Sequence, residues 1–186
     1  MSEHAQSFIN YLIGLKETDR GALAHLKRSL GFDPGSYPRA YPYVERFVGA
    51  EKHAEDPRRL AMYLTAGLFA AHPLHLIGSS FAAAFGRVGR SRGSASIEQR
   101  FIALLGAEPD SLPNHLRQAV FLLAADGVGF NYAGLLNDLS RWLDSFKPEA
   151  RDQLRQHWAR DFYRAYDPHA KSNEAQVAQP ETQQPN

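Results

Sequence analysis

The chain has 186 residues, 44% of them hydrophobic, with 21 Lys and Arg against 20 Asp and Glu. That length and apolar content allow a sizeable core, in one large domain or two small ones, and argue against a chain that is disordered throughout. Cysteine is absent, which excludes disulfides and cysteine-ligated zinc or iron–sulfur sites and fits a reducing compartment.

The opening MSEHAQSF lacks the basic and apolar regions of a secretory signal. The longest apolar run, Leu60 to Ala71, is about twelve residues where a membrane-spanning helix needs about twenty, so a soluble cytoplasmic protein without membrane contact is expected. The net charge of +1 is unevenly spread. From Asp167 onward Lys171 stands against Asp167, Glu174 and Glu181, a balance of −2, which leaves +3 on residues 1–166.

Apolar residues recur at three and four rather than at two, and hairpin turns are missing, so the fold class is all-α. Phe8, Tyr11, Leu12 and Leu15 make a first stripe, and Leu23, Leu26 and Leu30 make a second after a cap at Thr18 or Asp19. Gly31 to Pro42 reads as a loop, with a short helix around Tyr43, Phe47 and Val48. Asp56-Pro57 then caps and opens a helix that buries Leu60, Leu64, Gly67, Leu68 and Ala71 and stops at Pro73.

Ser79 to Phe85 reads as a short apolar helix. The following Gly86-Arg-Val-Gly-Arg-Ser-Arg-Gly93 has three glycines and no stripe, which marks a flexible linker. Ser96 and Gln99 have the spacing of a capping box ahead of Phe101, Leu104 and Leu105. Pro113 opens a helix with Leu116, Val120 and Leu123 inward, and Asn131 caps the next. There Tyr132, Leu135, Leu136, Leu139, Trp142, Leu143 and Phe146 hold one face. Pro148 starts a last helix with Leu154, Trp158, Phe162 and Tyr166 buried.

The organisation expected is therefore two small helical bundles: an N-terminal one over residues 1–86, a basic linker over 87–95, a C-terminal one over 96–166 and a disordered tail over 167–186.

No catalytic constellation stands out, and neither a metal nor a cofactor is expected. His72-Pro-Leu-His75 is interrupted by its proline and lacks a third ligand. Glu51 and Glu55 sit in a polar stretch without an apolar pocket to shift a pKa. No serine lies in a nucleophile elbow, and the glycines of 86–93 match no phosphate-binding loop. Tyr63, Phe69 and His72 could line a small-molecule pocket between helices, a minor alternative.

The arginines carry more information. Arg20, Lys27 and Arg28 share a helix face opposite the leucine stripe. Arg58 and Arg59 fall in a first turn, where cations oppose the helix dipole at roughly 0.3–1 kcal/mol each, yet could receive a phosphate beside free backbone N–H groups. Arg87, Arg90, Arg92 and Arg100, opposed by Glu98 alone, suit a phosphate track. Arg117, Arg141 and the row Arg151, Arg155, Arg160 and Arg164 extend the basic surface. Solvation, or ion pairing with acidic protein neighbours in a pure scaffold, explains the same residues, because arginine pairs with carboxylate and phosphate alike.

Three segments carry a resemblance. FINYLIGLKETDRGALAHLKRSLG, an aromatic-led helix followed by a basic one, SIEQRFIALLGAEPDSLPNHLRQAVFLLAADGVGFNYAGLLNDLSRWL, and RQHWARDFYRAY together resemble the CasB family, the small subunit of the type I-E CRISPR surveillance complex Cascade. The resemblance covers Phe8 to Tyr166.

It implies a non-catalytic subunit of two helical bundles, present as two copies between the backbone and large subunits of Cascade. Such a subunit contacts guide RNA and target DNA, and through a basic surface holds the displaced non-target strand so that the R-loop stays open in antiviral defence. By position, the family's basic contacts fall on Arg28, on Arg58 or Arg59, on Arg100 and on Arg117, with Lys27 and Arg20 as neighbours. Where the family has a second basic residue after Arg117, this chain has Gln118.

Overall fold

The computed structural model describes residues 2–49 and 53–167. Within them the regular elements are all helical: α1 (Glu3–Thr18), α2 (Arg20–Ser29), α3 (Tyr41–Val44), α4 (Pro57–Ala71), α5 (Phe81–Arg92), α6 (Ala95–Leu105), α7 (Leu112–Ala125), α8 (Tyr132–Trp142) and α9 (Pro148–Tyr166), with 3-10 turns at Pro38–Ala40 and Glu45–Phe47 on either side of α3. Lys171, Glu51 and the proposed tail beyond Asp167 lie outside the described residues.

Helix starts follow the caps written in the sequence. Asp19 accepts from Ala22 N–H, Asp56 from Arg58 and Arg59 N–H, Ser80 from Ala83 N–H and Asn131 from Gly134 N–H. Each such bond satisfies donors the helix cannot pair itself and is worth about 1 kcal/mol. Pro148 sits in the first turn of α9, where its missing N–H costs nothing.

The helix α4 is the axis of the molecule. Nine successive residues, Ala61 to Phe69, are buried, so water reaches no face of it there. α2 packs against it where Gly67 faces Leu30 and the Leu26 carbonyl, a Cβ at Gly67 lying only 2.7 Å from Leu30 Cδ2. α8 packs on α4 through the edge-on rings of Phe69 and Tyr132, and α1 and α7 complete the enclosure.

A second packing centre is aromatic. Phe101 on α6 stacks on Phe162 of α9 with ring centres 3.9 Å apart, flanked by Phe85 and Phe81 of α5, Trp158 and Trp142. One continuous core runs from Ala5 to Phe162, and α1 and α4 of the first half both pack on α8 of the second.

The linker reading of 87–95 does not hold for its first six residues, which continue α5 to Arg92, with α6 following after Gly93 and Ser94. The glycines have a different purpose from flexibility. Gly86 and Gly89 are three apart on one helix face, and they let α9 come close. A Cβ on Gly86 would collide with the Phe162 carbonyl oxygen, and one on Gly89 would lie 2.7 Å from the Tyr166 ring. Only Gly93 serves the backbone, capping α5 at φ 56°.

Three smaller expectations also change. α6 begins at Ala95, with the Ser94 hydroxyl 2.9 Å from that of Ser96 and no side-chain cap, so the Ser96–Gln99 box does not form. The short helix expected around Tyr43 starts at Tyr41 and ends in a 3-10 turn. α8 stops at Trp142, and Phe146, expected on its buried stripe, is 91% exposed.

Between α4 and α5 the chain is held against the α7–α8 connection. Leu76 N–H donates to the Phe130 carbonyl at 2.9 Å, Phe130 N–H to the Leu74 carbonyl at 3.3 Å and Asn131 N–H to the Ser79 carbonyl at 2.7 Å. His75 Nδ1 accepts the Tyr132 N–H at 3.2 Å, while its buried Nε2 has no partner among the described residues. The neighbouring His72 ring nitrogen meets the Val128 carbonyl at 2.9 Å.

Candidate nucleic-acid interface

The structure divides the eleven candidate cations by what their side chains already do. Arg59 is taken by the fold. Its Nε and NH2 donate to one oxygen of Glu45 at 3.1 and 2.7 Å, its NH1 to the Ala54 carbonyl at 3.0 Å, and its guanidinium lies 4.9 Å over the Tyr63 ring. Tyr63 donates to the same Glu45 oxygen at 2.6 Å. Burial pushes the Glu45 carboxyl up, but the bonds from Tyr63 and Arg59 outweigh it and hold the group below its usual range.

The start of α4 has no bare Arg58 or Arg59 N–H to offer a phosphate, because Asp56 accepts both, at 2.9 and 3.2 Å. Any anion here would meet side chains and not the bare helix end.

Arg92 donates through Nε and NH2 to both oxygens of Asp126, at 2.9 and 2.6 Å, and those bonds raise the Arg92 pKa and lower that of Asp126. Arg87 donates to the Ser79 hydroxyl at 2.6 Å. Arg117 on α7 donates to the Leu30 carbonyl at 3.1 Å, which docks it on the turn ending α2, next to Lys27 and Arg28. In the C-terminal row, Arg151 and Arg155 pair with Glu108, at 2.9 and 3.2 Å.

The others reach solvent. Arg20, Lys27, Arg28, Arg58, Arg90, Arg100 and Arg141 are exposed, and among the described residues no ion pair or side-chain hydrogen bond engages them. Lys27 and Arg28 sit in the last turn of α2, where cations favour the helix dipole. With Arg117 they form a basic corner shared by α2 and α7.

A second group surrounds a groove of about 560 Å³ between the starts of α1 and α4 and the end of α8. Arg58, Arg141 and Lys147 line it with His4, Asn137 and Ser140, against the carboxylates of Asp56 and Asp144. Lys147 reaches only a 3.8 Å pairing with Asp144 and stays 72% exposed. The groove joins Arg58 and Arg141, which are 83 positions apart in the chain.

Lys147 was missed in the sequence because it stands between a phenylalanine assigned to the core and the proline opening α9. A third, shallow depression of about 480 Å³ is lined by Arg87, Arg90, Arg92 and Asp126.

Tyr63, Phe69 and His72 line neither groove nor depression. All three are buried and bonded into the core, through Glu45, the Tyr132 ring and the Val128 carbonyl respectively. The small-molecule pocket they would have formed is filled by protein. No group of three or more metal-binding side chains occurs among the described residues, and none of their helices is long and apolar enough to cross a membrane.

Residues 22–163 match the family profile of CRISPR-associated protein Cse2. CRISPR-associated protein Cse2 of Thermus thermophilus is 44% identical over 145 residues, 77% of this chain and 79% of that one. The crystal structure of CasB from Thermus thermophilus superposes with a TM-score of 0.73 at 40% identity, covering 88% of this chain and 99% of its own. A chain from a structure titled CRISPR RNA-guided surveillance complex has the same fold, with a TM-score of 0.73 at 22% identity over 94% of this chain and 98% of its own. With the family profile spanning most of the described fold, the chain belongs to the Cse2, or CasB, family of CRISPR-associated proteins.

Proposed function

We propose that this protein is a non-catalytic subunit of an RNA-guided CRISPR surveillance complex of type I-E. In this role it holds nucleic acid, chiefly the displaced non-target strand, through cations presented on helix surfaces, and so keeps the R-loop open. Family membership and the fold shared with a surveillance-complex chain support the assembly. The observation that carries the electrostatic role is that Arg28, Arg58, Arg100 and Arg141 are exposed while engaged in no ion pair with the described residues.

The physics suits a helper subunit. Forming the RNA–DNA heteroduplex costs about as much pairing as it returns, so a modest affinity for the released strand tips the exchange. Phosphate contacts are blind to sequence, which leaves specificity to the guide. The partners in this reading are the backbone and large subunits, a second copy of the chain, guide RNA and target DNA, with the reaction itself left to another protein.

The test is fluorescence anisotropy of a labelled mixed-sequence DNA single strand against the chain over a salt series. About four phosphate contacts give a slope of log affinity on log salt near −3, at roughly 0.7 per contact for single strands. Salt-sensitive binding that an Arg58→Ala/Arg100→Ala variant loses supports the reading. Absence of binding at low salt overturns capture by the subunit alone and favours the scaffold role.

A further inference from the structure

The most exposed large apolar side chain among the described residues is Phe146, at 91%. It stands in the turn between α8 and α9, and that turn is fixed. Phe146 N–H donates to Asp144 Oδ1 at 3.0 Å, Lys147 N–H to the Asp144 carbonyl at 3.4 Å, and Pro148 starts α9 immediately after. The turn supplies Asp144 and Lys147 to the wall of the 560 Å³ groove, whose other cations are Arg58 and Arg141 beside the Glu45-bound Arg59.

The Phe146 ring meets no other aromatic ring among the described residues. Its neighbours Ser145, Lys147 and Glu149 are exposed and polar, with Pro148 the one apolar residue beside it, so the chain presents no apolar run here. A lone ring beside a basic groove has the chemistry of single-strand recognition, in which cations track phosphates and an aromatic face stacks on a base whatever its identity. A protein partner would bury Phe146 in an apolar socket; a strand needs only its face.

We propose that Phe146 is a base-stacking residue, and that the groove lined by Arg58, Arg141 and Lys147 takes the phosphates of the same unpaired strand. This rests on the strand-capture reading and specifies one site for it. Stacking here discriminates unpaired from paired bases, because a duplex offers no free base face at its side. The site therefore favours an opened strand over the closed duplex, a preference that phosphate contacts alone do not create.

The experiment measures affinity of the full chain and of Phe146→Ala, Phe146→Leu and Phe146→Trp for a labelled mixed-sequence DNA single strand and for an abasic strand of equal length. The expected result is about tenfold weaker binding of the normal strand by the Ala and Leu variants, the effect of losing one stacked base. The Trp variant keeps its affinity, and the normal strand quenches part of its fluorescence, read over the emission of the buried Trp142 and Trp158 in the wild type. All four proteins bind the abasic strand alike.

Equal affinity of wild type and Phe146→Ala for the normal strand overturns the stacking role while leaving strand capture intact. If Leu restores what Ala loses, the ring is serving as an apolar plug and the proposal fails. A wild-type chain that binds neither strand removes the capture reading and this site with it. An unchanged melting temperature of Phe146→Ala shows that the fold is not the cause.

Discussion

The guanidinium of Arg59 donates twice to a single oxygen of Glu45, at 3.1 and 2.7 Å, while that of Arg58, the adjacent residue, stands exposed at the groove. Two arginines indistinguishable in sequence are thus divided between fold and surface.

Their substitutions separate accordingly. Arg59→Ala leaves the partly buried Glu45 with Tyr63 alone and lowers stability by about 1–2 kcal/mol, read as a lower urea midpoint. Arg58→Ala leaves the midpoint within about 0.5 kcal/mol of wild type and reduces the magnitude of the single-strand salt slope by about 0.7. The opposite assignment of effects would show that the two have been given the wrong roles.

Glycine substitutions give a second pair. Gly86→Ala forces a methyl onto the Phe162 carbonyl and costs about 1–3 kcal/mol as α5 and α9 move apart. Gly14 lies within α1 with open space around its Cα, and Gly14→Ala raises stability by about 0.5–1 kcal/mol through helix propensity. Thermal or urea melts of the two variants, moving in opposite directions, check both.

Stability also depends on pH through His75. Its Nδ1 accepts a backbone hydrogen bond from Tyr132, so the ring is held neutral, and burial lowers its pKa below the ordinary value of 6.5. The unfolded chain therefore takes up this proton first as pH falls. The contribution is fully present above pH 6.5 and is lost progressively below it, down to the depressed folded value. His75→Asn keeps an acceptor for the Tyr132 N–H without a titrating ring and flattens the urea midpoint between neutral and mildly acid pH; an unchanged slope would remove His75 as the cause.

Arg117 gives a fourth expectation. Its bond to the Leu30 carbonyl ties α7 to the end of α2, so Arg117→Ala loosens the corner that carries Lys27 and Arg28 and lowers stability by about 1 kcal/mol. Arg117→Lys restores charge without the planar fork and recovers the stability only in part. Hydrogen exchange in the last turn of α2 reads the loosening directly.

Much of this architecture is legible in the chain because it is local. Asp19, Asp56 and Asn131 announce helix starts through bonds reaching three residues ahead, and Pro148 does so by its fixed φ. Gly86 and Gly89 mislead because their reason lies on another helix, about 75 residues away, and only the α5–α9 approach distinguishes a packing glycine from a flexible one. Phe146 misleads in the converse way. Its spacing extends the α8 stripe, but α8 ends at Trp142 and a turn held by Asp144 carries Phe146 off the helix, so periodicity promises a burial that the backbone does not deliver.

The same limit applies to the cations. Side-chain type and helical face place Arg20, Lys27 and Arg28 on the surface correctly, because a single helix decides it. Whether Arg59, Arg87, Arg92 or Arg117 is engaged depends on Glu45, Ser79, Asp126 and Leu30, partners that no spacing rule connects to them.

The enclosure of α4 bears on how force passes through this protein. With nine consecutive residues out of reach of water, α4 has no surface along which to fray, and its mid-helix amides exchange with solvent only when the whole molecule opens. α2 and α8 each clasp this rod, so the basic corner and the basic groove keep a set separation. In the proposed role, a strand spanning both would meet a fixed gauge, its length decided when the core sets.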